Sequence, residues 1–236
     1  MAAGSLLARD VVLKAQRLLN DIHHVNWELD ELVDWLNAGQ RQIVVVRPDA
    51  SSTLLNIDLS PGVSQAIPEN AIRLLDVLRN VDGRAITYIK RGDLDNWDAD
   101  WVNATPDADV VHWMYDDRSP DVFRVYPPQP DSPGSIEALC SITPEPCTLD
   151  KVNGESIDSA ISINDIFEGP LIDYIVYRSY SKDATYTVRG GKADIAWQHF
   201  LQTLGVQLTT DKKWSPDVNT PPHQTAMQPG NVGAFK

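Results

Sequence analysis

The chain has 236 residues, 20 Lys plus Arg against 33 Asp plus Glu, a formal charge of −13 and a pI near 4.6. That length can bury a sizeable core, and an apolar fraction of 42% sets it apart from disordered sequences. The acidity argues against a surface that wraps nucleic acid, which needs clustered cations; the longest cationic runs are the pairs Lys90-Arg91 and Lys212-Lys213. No apolar stretch approaches the ~18 to 20 residues of a membrane span. The opening MAAGSLLARD lacks the cationic start and apolar run of a signal peptide. Cys140 and Cys147 are therefore expected as reduced thiols.

Residues 5 to 22 read as an amphipathic helix, with Leu7, Val11, Ala15, Leu18 and Ile22 at spacings of three and four. A short link, His23 to Trp27, leads to a second helix over 28 to 46, whose stripe is Leu29, Leu32, Val33, Leu36, Ile43 and Val44. Glu28, Asp30 and Glu31 crowd its first turn, where the helix dipole favours them. Arg47-Pro48 ends it.

From 51 to 145 the period shortens to two. Leu55, Ile57 and Leu59 alternate with polar residues, and Pro61-Gly62 makes a turn. Residues 72 to 78 read as a strand or short helix. Asp82-Gly83 carries a hairpin signal ahead of a strand over 85 to 89. Further strands are expected over 110 to 115, 122 to 126 and 135 to 142. Helical spacing returns with Pro170, Leu171, Tyr174, Ile175 and Ser179, a helix running to about 181. A fourth helix spans 191 to 204, with Ile195, Phe200, Leu201 and Leu204 apolar and Gly205 suited to its end. The last 30 residues, with four prolines, read as an extended tail.

The expected fold class is α+β. Residues 1–50 and 161–205 form N- and C-terminal helix pairs that pack as a four-helix bundle, because neither pair buries its stripe alone. Residues 51–160 form a central antiparallel β insertion, and 206–236 an extended C-terminal tail. Trp27, Trp35, Leu36, Tyr174, Trp197 and Phe200 are the expected packing residues of the bundle or of an oligomer.

Chemical motifs are weak. Between Arg91 and Asp121 stand Asp93, Asp95, Asp98, Asp100, Asp107, Asp109, Asp116, Asp117 and Asp121, interleaved with Trp97, Trp101 and Trp113. Carboxylates and indoles together suggest a cation or sugar site. The calcium-loop template fails, because Asp98 stands where glycine is required and Ala104 where glutamate is required. The simpler reading is a solvated loop whose tryptophans anchor it on the sheet. His23-His24 point apart if helical; His112 and His199 lack ligand spacing. Gly190-Gly191-Lys192 lacks the earlier glycine of a phosphate loop. No catalytic residue, cofactor or metal is expected, and the chain reads as a structural or interaction protein.

Several segments taken together are informative. Trp27-Glu28-Leu29, Trp35 to Ile43 (WLNAGQRQI) and Arg47-Pro48-Asp49-Ala50 are similar to the N-terminal region of tailed-phage head-to-tail adaptor (connector) proteins. Gln65-Ala66-Ile67-Pro68, Leu74-Leu75-Asp76-Val77 with Arg79-Asn80, Phe123-Arg124-Val125-Tyr126-Pro127-Pro128, and two late helices joined at Lys182-Asp183 extend the resemblance over roughly 6 to 205. It implies a homo-oligomeric ring, commonly a dodecamer, beneath the portal of the capsid. Its partners would be the portal protein and tail or neck proteins. Double-stranded DNA would pass through the lumen without specific binding, and no membrane would be involved. The location would be the virion, assembled in the host cytoplasm. The family transfers no catalytic residue. It often grips the portal with a C-terminal extension, and Trp214, Met227 and Phe235 are the largest apolar anchors here. The alternatives are another neck or tail-tube component, or a carbohydrate-active virion protein using the Asp/Trp segment.

Overall fold

A computed structural model describes residues 6–116, 118–150, 156–182 and 187–214, with side chains for all of these but 187–190 and 206–214. Among the described residues the architecture is α+β, with five helices and two sheets.

Helix α1 (Ala8–Leu19) turns Ala8, Val11, Val12, Ala15 and Leu19 inward. It ends earlier than its periodicity suggests because Asn20 takes a left-handed backbone, φ 56°. Asparagine tolerates that conformation and closes helices there. Asp21 then organises the link. Its carboxylate accepts the backbone N–H groups of Val25 (2.8 Å), Asn26 (2.9 Å) and Trp27 (3.1 Å). Helix α2 (Leu29–Val46) carries Asp30 and Glu31 in its first turn and stops before Pro48.

The chain turns through Pro48–Ser51 into β1 (Ser52–Asp58), followed by β2 (Gly62–Ala66), β3 (Ala71–Asn80) and the short β4 (Thr87–Tyr88). Helix α3 (Arg91–Trp97) leads to β5 (His112–Tyr115), β6 (Val122–Gln129) and β7 (Ser135–Ile142). One sheet has the order β1-β7-β3, the other β2-β6-β5-β4. The hairpin after β3 is only begun. Gly83 N–H returns to Asn80 O (2.9 Å) and Ile86 N–H to Leu78 O (3.0 Å). The chain then crosses to the second sheet, where β4 pairs parallel to β5. Asn80 anchors that crossing: its side-chain amide donates to Val110 O and accepts from Val110 N–H, both at 2.8 Å. The two sheets enclose one core of Ile57, Leu74, Val77, Trp113, Phe123, Val125 and Ile136. Because side chains alternate along β5, Met114 points the other way and meets Leu94 of α3 and Trp101.

Strands β1 and β7 carry the chain out of and back to the helices side by side, paired from Ser52↔Ser141 to Asp58↔Ser135. The returning segment is held on the helices by backbone bonds, Ala8 N–H to Ser159 O (2.9 Å) and Ile161 N–H to Leu6 O (3.0 Å). Two buried amides of α2 complete the attachment. Asn37 donates to Cys147 O (2.9 Å) and accepts from Cys147 N–H (2.8 Å), and Gln40 accepts from Ser162 N–H (2.8 Å). These side chains satisfy backbone groups that burial would otherwise leave unpaired.

Helices α4 (Glu168–Lys182) and α5 (Thr187–Trp214) follow. Helix α4 is the common partner of α1, α2 and α5. One apolar cluster joins Val11, Leu36, Ile161, Phe167, Leu171 and Phe200. Lys14 pairs with Glu168, and Lys182 with Glu31 at 2.7 Å. Helix α5 departs from the expected end at 204: it continues through Gly205 to Trp214. A glycine inside a helix costs about 1 kcal/mol relative to alanine, which does not by itself end it.

Candidate assembly surfaces

The Asp-rich segment is more structured than a solvated loop. It contains α3 and a turn at Trp101–Asn103. Its carboxylates build that local structure. Asp95 accepts the Trp101 indole N–H (2.7 Å), Asp98 the Asp100 N–H (3.0 Å) and Asp107 the Asp109 N–H (3.0 Å). Asp116 holds Arg118 through Nε (3.0 Å) and Nη2 (2.8 Å). That pairing pulls the Asp116 carboxyl down to about 2 and raises the Arg118 guanidinium. Among the described residues no three His, Cys, Asp or Glu side chains gather as a metal would require. Trp101 and Trp113 are buried in the cores, whereas Trp97 is 67% exposed beside His112 and Tyr126. An open cavity of about 730 Å³ lies at the β5–β6 turn, lined by Arg91, Met114, Asp116, Arg118, Phe123 and Arg124. Two of its arginines are already paired, Arg118 with Asp116 and Arg91 with Asp95 (3.4 Å), so it presents little free positive field.

The residues expected to pack the helices lie largely inside the chain. Leu36 is fully buried. Trp27 is buried, donates its indole N–H to Ser179 O (3.1 Å) and meets Tyr180 edge-on. Tyr174 and Trp197 both contact Phe200, with ring centroids 5.5 and 5.2 Å apart. Trp35 is partly buried against the same cluster. Helix α1 carries Arg9, Lys14 and Arg17 toward solvent. The His23-His24 pair holds no metal-like geometry, and the His24 ring bonds Gln16 (2.8 Å).

Cys140 and Cys147 are free and buried in different cores, one between the sheets and one against the helices. Burial pushes the Cys140 thiol up to about 11. It also raises Cys147. Both are therefore poor thiolates.

Of the tail anchors, Trp214 lies in the last turn of α5 rather than in an extended segment. Met227 and Phe235 fall outside the described residues.

Exposed apolar side chains occur across the fold, Val45, Leu54, Ile72 and Val102 among them, and two groups lie on or beside α1 and α5. Leu18 (63%), Ile22 and Val25 (80%) stand at the end of α1 and in the link. Ile195 (63%) and Leu201 stand on α5. The sequence pattern assigned Leu18, Ile22, Ile195 and Leu201 to buried stripes. The structure turns Val12 and Leu19 inward instead on α1, and Ala193 and Ala196 on α5. The available signal was a surplus: α1 has more apolar residues than one face can hold.

The chain belongs to the SU10 adaptor protein family, a family of phage head-to-tail adaptors, whose model matches residues 7–222. No curated protein matches it.

Proposed function

We propose that this phage adaptor works as a structural ring of about twelve copies, closed by rotational symmetry, beneath the portal. It links capsid to tail and continues the DNA channel. The family match over 7–222 carries this reading. Function is assembly, with many modest interfaces closed by symmetry and no bond chemistry.

In this reading residues 1–50 and 161–205 act as one four-helix body, and 51–160 as an insertion directed at tail components or neighbouring copies. The shared core of α1, α2, α4 and α5 supports such a body. Acidic walls would repel the DNA backbone and let the genome slide, where basic walls would retain it. The −13 charge of each chain fits that demand.

The C-terminal region, with Trp214, Met227 and Phe235, docks on the portal. Apolar anchors of this type dominate interface energies, and a proline-rich segment loses less entropy on binding. The test is truncation after Trp214, which keeps α5 whole. The shortened chain should fold and lose portal binding in a co-purification. Unchanged binding would refute the tail assignment.

A further inference from the structure

We propose that the exposed faces of α5 and of the α1–α2 link form one head-to-tail contact between two copies of this chain. The proposal rests on the ring reading and adds the surfaces that close it.

Helix α5 buries Ala193, Ala196, Phe200 and Leu204 toward α4. On a 3.6-residue helix, Ile195, Gln198 and Gln202 then face away from α4, and Leu201 lies at the margin, 45% exposed. Gly191 and Gly205 share that outer face, and a Cβ built on either would meet nothing within 4 Å. The backbone at Gly191 is thus open to close approach by another helix.

The second set of exposed apolar side chains is Leu18, Ile22 and Val25. It stands at the same level along the helices. Trp27, which follows the link, bonds Ser179 and meets Tyr180 of α4. On α5, Lys192 lies 5.3 Å over the same Tyr180 ring. Helices α1 and α5 each pack on α4, and among the described residues they share no substantial contact with each other. Two different surfaces at one level on one subunit give a heterologous contact, the kind that closes into a ring when the rotation permits.

Charge selects the pairing. Arg17 adjoins Leu18 and Asp194 adjoins Ile195; both are outward on their helices, and neither is in an ion pair among the described residues. Joining α5 to the link of a second copy offers Asp194 to Arg17, while Lys192 of α5 is held over its own Tyr180. Joining α5 to α5 sets Asp194 against Asp194, which is repulsive.

The experiment introduces Ile22→Cys and Ile195→Cys into the full chain, co-produced with the portal protein of the same phage and purified as the complex. Both sites are exposed, and the native Cys140 and Cys147 are buried. Mild oxidation should give a ladder of covalent multimers from the double variant and monomers from each single variant. Dimers from Ile195→Cys alone would mean a two-fold contact and overturn the proposal. Rings of normal size with no ladder would overturn it while leaving the ring reading intact. A wild-type complex that contains no ring would overturn both.

Discussion

Gly39 of α2 and Tyr174 of α4 meet with no space between them: a Cβ built on Gly39 would stand 3.1 Å from Tyr174 Cδ1 and 3.2 Å from Leu171 Cδ2. The absent side chain lets the N-terminal helices reach α4. Leu171 is fully buried and Tyr174 nearly so, and neither can swing into solvent. Gly39→Ala should therefore destabilise by about 1 kcal/mol, because the overpacking outweighs the gain in helix propensity. Gly39→Leu should cost about 1 to 3 kcal/mol through overpacking. Urea midpoints at constant slope measure both.

The amides of Asn37 and Gln40 do for the returning segment what a neighbouring strand does in a sheet. Asn37→Ala leaves Cys147 N–H and C=O without their side-chain partner. Losing a buried partner costs about 1 to 3 kcal/mol. Native-state hydrogen exchange should show Cys147 and Ser162 amides losing protection in Asn37→Ala and Gln40→Ala respectively, with the sheet amides unchanged.

Two carboxylates should give opposite pH signatures. Burial tends to raise Asp21, but the amides of Asn26, Val25 and Trp27 outweigh it and hold its carboxyl below the ordinary 3.8. A lowered folded value means stability present above the unfolded value and lost as pH falls through the folded one. Burial raises Asp173, opposed by the charge of His199. A raised carboxylate makes the fold less stable as pH climbs past the unfolded value. Asp21→Asn should destabilise at pH 7 and flatten the acid limb below about pH 4. Asp173→Asn should stabilise at pH 7 and match wild type well below pH 4. Thermal melts between pH 2 and 7 check both.

Tryptophans that look alike in the sequence should behave differently. Trp101 is 3% exposed against Leu94 and Met114, while Trp97 projects outward. Trp101→Ala should cost about 3 to 5 kcal/mol. Trp97→Ala should stay within about 0.5 kcal/mol, as exposed sites do. A sugar-binding reading requires Trp97→Ala to abolish retention on peptidoglycan; the adaptor reading expects no retention by either chain.

Much of the helical framework was legible from spacing. Residues Leu29–Val46 follow their apolar stripe almost to the residue, because Pro48 and the acidic first turn mark both ends. Strand β7 matches its expected span. The failures have local causes. The Asn20 left-handed turn shortened α1, and Gly205 was not a stop. The Asp-Gly turn opened a hairpin that tertiary pairing diverted to another sheet, and the aspartates of 91–109 concealed α3. Spacing also cannot choose between adjacent residues such as Leu18 and Leu19. One is buried in the core and the other is exposed, and that choice decides which surface is left for a partner.

The most direct test of the central claim is an image reconstruction of the portal complex assembled with the full chain, compared with portal alone. The account predicts added ring-shaped density on the tail-facing side of the portal, coaxial with its channel. Added density elsewhere on the particle, or none, would contradict it.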